Sequence, residues 1–305
     1  MRVVFMGTPD FSVGTLEALY EAGHEIVGVV SQPDKPKGRG KNLQPTPVKE
    51  AALKLGLPVY QPKRVREPEF VQVLKDLNPE GIVVVAFGQL IPKEILELTP
   101  YGCINVHASL LPKYRGAAPI QWAVIDGEEE SGVTIMRMDE GLDTGDMISK
   151  AVVPLDAEET GGSLFDKLSQ TGAKLLVETL PSLEDGTAVF EKQPEESPTA
   201  YAGMIKKSMG NLDFGRPAAE LERLIRGLNP WPSAYTVRWK NAENLESSGK
   251  GTGARTRNVG TGNGLDHRTA GIVGEDRKRY VENNRASVRR KETDGNRSIP
   301  ERIQG

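Results

Sequence analysis

Residues 2–6, RVVFM, form a short, largely apolar run that stops at Gly7-Thr8-Pro9-Asp10. A helical spacing of Phe11, Leu16, Leu19 and Tyr20 follows and ends at Gly23. The run reads as a strand buried on both faces, and the spacing as a helix with one face in a core. Residues 26–30, IVGVV, add a second strand, and β-α-β opens a parallel sheet. Residues 31–45, SQPDKPKGRGKNLQP, are polar, basic and rich in Pro and Gly, and predict a loop. Helices are expected over 46–56 and 67–77, the strongest central strand over 81–87 (GIVVVAF) and another over 101–107 (YGCINVH). A helix over about 117–126, strands over 131–139 and 147–155, and a long amphipathic helix over 162–185 complete the pattern. Alternating strands and helices predict an α/β fold with a mostly parallel sheet.

Residues 191–202, EKQPEESPTAYA, read as the start of a linker that runs to about 207 and separates a first domain over 1–190 from a second over 208–305. A short helix is expected at 217–227, and NPWPSAYTVRW (229–239) reads as the entry to a β domain. From about 240 onward no strand alternation is evident.

Composition changes this picture at one place. The chain has 305 residues, 37 % hydrophobic and 27 % charged, within the range of globular proteins. It shows no run long enough for a membrane span and no signal-peptide core, and its single cysteine, Cys103, cannot form an internal disulfide, so a cytoplasmic protein is expected. A net charge of −3 says nothing by itself about nucleic acid. Residues 241–305, however, carry 10 Arg and 3 Lys, against 10 Arg and 16 Lys before them, and ten of those 65 residues are glycine. That segment has too little apolar surface to offset its ordering entropy.

Two polar clusters fall at the carboxyl ends of strands, where open α/β sheets bind ligands. Asn105 and His107 end one strand, and their i, i+2 spacing points both to the same face. The second cluster, Asp139-Glu140-Gly141-Leu142-Asp143-Thr144-Gly145-Asp146, follows another strand. An amide, an imidazole and a carboxylate suffice for acyl transfer to an amine: the amide donates to a developing oxyanion, a carboxylate favours the charged imidazole, and it can relay a proton. No Ser or Cys nucleophile is evident, since Cys103 lies deeper on the strand, which favours direct attack by the amine. Taken alone, Asn-x-His also fits a strand end with satisfied polar groups, and the acidic loop also fits a solvated turn or a metal site. The first βα turn lacks G-x-G-x-x-G, which argues against NAD or FAD.

The segments FMGTPDFS (5–12), QPDKPKGRGKNLQPTPVK (32–49), VVAFGQLIP (84–92), INVHASLLPKYRGAAPIQWAVIDG (104–127) and GVTIMRMDEGLDTGDM (132–147) resemble the methionyl-tRNA formyltransferase family, and the match runs from residue 1 to about 239. The resemblance implies a Rossmann-like formyltransferase domain followed by a smaller β-barrel domain, here incomplete or degenerate. It implies 10-formyltetrahydrofolate as cosubstrate, no metal, and the methionine of initiator methionyl-tRNA as acceptor; a monomer is expected. Asn105, His107 and Asp143 match the catalytic positions. Ser109, Leu110, Leu111 and Pro112 match the folate-binding stretch, and Phe87, Gly88, Gln89, Leu90 and Ile91, with Asp139, Glu140 and Gly141, match the pterin pocket. Lys35, Lys37, Arg39 and Lys41 occupy the basic insertion that would contact tRNA; flexible glycines there let cations reach phosphates. Two alternatives stay open: a formyltransferase or formylfolate hydrolase acting on a small molecule, and a catalytically impaired RNA-binding remnant. Residues 240–305 depart from the family pattern, as a shifted reading frame would make them do, and a poorly packed end is expected there.

Overall fold

The computed structural model describes residues 1–37, 42–237 and 256–259. A first compact unit spans Met1–Ile205 and a second begins at Lys206. The first unit therefore takes in residues 191–205, most of what the sequence reads as a linker.

Among the described residues, eleven strands and seven α-helices follow in chain order: β1 (Arg2–Gly7), α1 (Val13–Glu21), β2 (Glu25–Val30), β3 (Lys35–Lys37), β4 (Asn42–Gln44), α2 (Pro47–Lys54), β5 (Val59–Tyr60), α3 (Pro68–Leu77), β6 (Gly81–Val85), α4 (Lys93–Leu96), β7 (Cys103–His107), α5 (Pro119–Asp126), β8 (Glu130–Arg137), β9 (Met147–Pro154), α6 (Gly161–Glu184), α7 (Ala218–Gly227), β10 (Ala234–Val237) and β11 (Thr256–Val259). The main sheet has seven strands in the order β5-β2-β1-β6-β7-β8-β9. Its first five are parallel, and β8 and β9 run antiparallel to their neighbours.

The strands that read as continuous apolar runs are buried on both faces. One core layer joins Val3, Phe5, Val83, Val85, Ile104, Val106, Val133 and Ile135 to Leu16 and Leu19 of α1 and Leu164, Leu168, Leu176 and Leu180 of α6. The opposite layer joins Val4, Met6, Ile82, Val84 and Cys103 to Phe70, Val71 and Leu74 of α3 and Ile95 of α4. Along β7 the faces alternate, so Asn105 and His107 project on the α3 side while Val106 packs beneath α6. Helix α6 reaches close to the sheet because Gly172 has no side chain: a Cβ there would lie 2.8 Å from Val106 Cγ1. Its start is fixed by a capping box between Thr160 and Ser163.

Three differences from the sequence pattern have local causes. The expected loop at 31–45 contains the short antiparallel pair β3–β4. Its base is held by Lys49 Nζ donating to Asp34 Oδ2 (2.6 Å) and Gln61 Oε1 (2.8 Å). Strand β5 is two residues long, below the length at which alternation is visible. In the second unit, β10 pairs antiparallel with β11, so strand structure does recur beyond residue 240. Leu212 N donates to Tyr235 O (2.9 Å) there, and α7 buries Leu221 and Leu224. The remainder of the atypical tail lies outside the described residues. Among the described residues, no helix is long and apolar enough to cross a membrane.

Candidate active site

Asn105 and His107 are 8 % and 5 % exposed at the carboxyl end of β7. Asn105 is held through its backbone, between Val84 of β6 and Met136 of β8. Among the described residues, no fully enclosed side-chain nitrogen or oxygen lacks a partner. The Asn105 amide, which has no protein partner there, must therefore open towards solvent.

His107 is oriented from one side. Its Nε2 lies 3.1 Å from Tyr114 O. A carbonyl can only accept, so Nε2 carries the proton. Nδ1 is then the free nitrogen, and it lies 3.8 Å from Asp143 Oδ1. At that separation there is no hydrogen bond, and the pair becomes an ion pair only when His107 is protonated. Neutral His107 offers no donor at Nδ1; charged His107 does.

Asp143 sits in the 138–146 connection between β8 and β9, with φ of 55°. Asp tolerates this left-handed conformation better than most residues. The connection is closed at its base by Arg137 N donating to Asp146 O (2.9 Å). Gly145 is required there, because a Cβ would collide with the Arg137 carbonyl. Gly116 N donates to Asp143 Oδ2 (2.9 Å). The turn Tyr114-Arg115-Gly116 thus touches both members of the pair. Its anchor is Tyr114, whose hydroxyl donates to Asp126 Oδ2 (3.1 Å) and Glu128 Oε1 (2.9 Å). Burial pushes that phenol above its usual range, and Glu128 and Asp126 add to the effect, so it remains a donor.

The other expected site residues are spread over the rim. Ser109 Oγ donates to Lys113 O (2.6 Å), and Leu111 N donates to Thr134 Oγ1 (3.0 Å), which shapes the 109–113 turn. Leu111 is 1 % exposed and packs on Met136 and Met147, so its side chain belongs to the core. Leu110 lies over Gly132, where a Cβ would meet its Cδ2 at 2.5 Å, and Pro112 is partly exposed. Phe87 is buried, Leu90 is 80 % exposed, and Ile91 packs at the edge of the α3-side core. Gln89 Oε1 accepts from Val65 N (2.8 Å). The carbonyls of Phe87 and Gly88 both accept from Gln32 Nε2, at 3.3 and 3.0 Å. In the acidic loop, Asp139 accepts from Thr144 Oγ1 (2.8 Å) and Gly141 N (3.1 Å), and Glu140 pairs with Lys93 (2.9 Å). The carboxylates therefore turn to separate partners, and no group of three or more ligating side chains converges among the described residues. Lys35 is exposed; the side chain of Lys37, and Arg39 and Lys41 entirely, lie outside the described residues.

Tyr114, Arg115, Gly116 and Gln193 carry no role in the sequence reading. Gln193 lies in a proline-rich stretch that looks like a linker, and a buried arginine has no signature in one sequence.

The domain that carries this strand end is a formyl transferase domain. The family model described as formyl transferase matches residues 1–180, and that of the formyl transferase C-terminal domain matches residues 204–265, beyond the limit of about 239 read from the sequence. The methionyl-tRNA formyltransferase of Agathobacter rectalis is 65 % identical over 236 residues, 77 % of this chain and 76 % of that protein. That of Clostridioides difficile is 58 % identical over 237 residues, 78 % and 76 % of the two chains. The chain belongs to the methionyl-tRNA formyltransferase family. Among solved structures, a sugar N-formyltransferase from Shewanella sp. shares the fold, with a TM-score of 0.62 at 19 % identity over 87 % of this chain and 99 % of that one. HypX from Aquifex aeolicus, in complex with tetrahydrofolic acid, shares it with a TM-score of 0.57 at 18 % identity over 77 % and 36 %.

Proposed function

We propose that this chain transfers the formyl group of 10-formyltetrahydrofolate to the α-amino group of methionine on initiator tRNA. The observation that carries the mechanism is the geometry of His107: Nε2 is committed to Tyr114 O, which leaves Nδ1 facing Asp143, with Asn105 two residues back on the same face of β7. The neutral amine attacks the formyl carbon. As the tetrahedral intermediate forms, the Asn105 amide and the charged His107 Nδ1–H donate to the oxygen. Asp143, beside His107, takes part in moving a proton from the attacking amine. The carbon–nitrogen bond to N10 of the folate then breaks, and the proton ends on N10. Ser109, Leu110, Pro112, Gly88, Gln89 and Leu90 would line the approach for the folate, with Leu111 and Phe87 supporting it from the core. Lys35, Lys37, Arg39 and Lys41 would meet the tRNA, supplying clustered cations on a chain whose net charge is −3.

The acceptor is tested by offering the chain 10-formyltetrahydrofolate with methionyl initiator tRNA, a nucleotide-linked amino sugar, or glycinamide ribonucleotide. Formylation of the tRNA is expected. Turnover of a small-molecule amine alone would overturn the assignment, and release of formate without any acceptor would make the chain a hydrolase.

A further inference from the structure

We infer that Gln193, itself held by Arg115, is a positioning residue that sets the Asp143 loop against His107. Its Nε2 donates to Asp143 O (2.9 Å) and Gly145 O (2.7 Å), so both amide hydrogens are used on the loop. Its Oε1 accepts from Arg115 Nε (3.0 Å). The remaining guanidinium nitrogens of Arg115 donate to Glu195 O (3.0 Å) and Pro194 O (2.7 Å). Gln193 and Arg115 are 5 % and 8 % exposed, so neither can exchange these partners for water without a penalty.

The network closes on the site. Arg115 lies between Tyr114, whose carbonyl orients His107, and Gly116, whose N–H holds the Asp143 carboxylate. Gln193 fixes the Asp143 backbone from the other side. No hydrogen bond joins His107 to Asp143 across their 3.8 Å separation. Their spacing is therefore set from outside the pair, by Gly116 on the carboxylate and Gln193 on the backbone. A displacement of about 1 Å in such a pair can cost on the order of a hundredfold in rate. Gln193 touches neither reacting group, and its effect runs through Asp143.

This inference rests on the formyl-transfer reading above. The test uses the full chain with Gln193→Met, which removes all three bonds, and Gln193→Glu, which keeps an acceptor for Arg115 but places a carboxylate against two carbonyls. Folding is followed by circular dichroism and folate-site integrity by calorimetry with 5-formyltetrahydrofolate. Both variants are expected to stay folded and bind that folate within about twofold of the parent, with kcat lowered roughly 10- to 100-fold and KM for the formyl donor little changed. Glu196→Ala, an exposed change in the same stretch, should leave kcat unaltered. A kcat within twofold of the parent in both variants would overturn the inference. So would loss of the fold or of folate binding in both, which would make Gln193 a structural strap alone. A parent chain inactive on every amine would instead remove the formyl-transfer reading.

Discussion

Gly172 offers a test that joins packing to chemistry. It lies within α6 directly against Val106, the residue between Asn105 and His107 on β7. In Gly172→Ala the new Cβ would sit 2.8 Å from Val106 Cγ1 and 3.4 and 3.7 Å from the two Val133 methyls. The first distance is shorter than packed carbons adopt, so Val106 or the helix must shift. Overpacking of this kind costs about 1–3 kcal/mol. Replacing a mid-helix glycine by alanine returns about 0.8–1.0 kcal/mol. The single variant should therefore be destabilised by roughly 0–2 kcal/mol, too broad a range to decide the matter alone. The double-mutant cycle with Val106→Ala decides it, because Val106→Ala removes the colliding methyl. The pair should couple favourably by about 1–2 kcal/mol, within the usual span for residues in contact. Urea unfolding followed by far-UV circular dichroism supplies the four stabilities. Additivity within about 0.3 kcal/mol would show that α6 does not meet β7 at this point. A parallel effect on turnover is expected, with Gly172→Ala slower than the parent and the double variant partly restored, since the strand that shifts carries Asn105 and His107.

Three further outcomes follow from the site and its surroundings. His107→Ala should lower kcat by about 10²–10³, equivalent to roughly 2.7–4 kcal/mol for the loss of one oxyanion donor; a near-normal rate in formyl transfer would remove that role. Burial pushes the Cys103 thiol up to about 12 from its ordinary 9.0. Its Sγ–H donates to Ile95 O (3.6 Å). The native thiol should resist a thiol-specific disulfide reagent at pH 8 and react at once in urea. The unfolded chain ionises above the ordinary value while the native one does not, so this residue should make stability fall as pH rises from about 9 towards 12. A Cys103→Ala variant with the same alkaline slope would contradict that.

Much of the fold is legible in the sequence because its parallel half is built from β-branched runs such as 81–87, which only a doubly covered sheet can bury. Asn105 and His107 are legible for the same reason: polar side chains two apart at a strand end must share a face. Asp143 is located by its glycine-flanked loop, although nothing local says that it faces Nδ1 rather than Nε2 of His107. That choice depends on Tyr114 O, a backbone atom delivered by a turn whose anchor, the Tyr114 hydroxyl, reaches Asp126 and Glu128 across the fold. Gln193 is illegible for the opposite reason. The stretch around it, EKQPEES, is charged and proline-containing, and long-range bonds, those of Gln193 to Arg115 and the Asp143 loop among them, make it part of the first unit. The β3–β4 pair and β11 are missed because strands of three or four residues show no periodicity, whereas β10 falls in the segment read as the entry to a β domain.

The most direct test of the central claim is transfer of radiolabelled formyl from 10-formyltetrahydrofolate into methionyl initiator tRNA by the full chain, compared with Asn105→Ala and Asp143→Ala. Label is expected in N-formylmethionine with the parent chain, with transfer by both variants slowed by about a hundredfold or more. A parent chain that labels no tRNA, or variants that label it at the parental rate, would contradict the account.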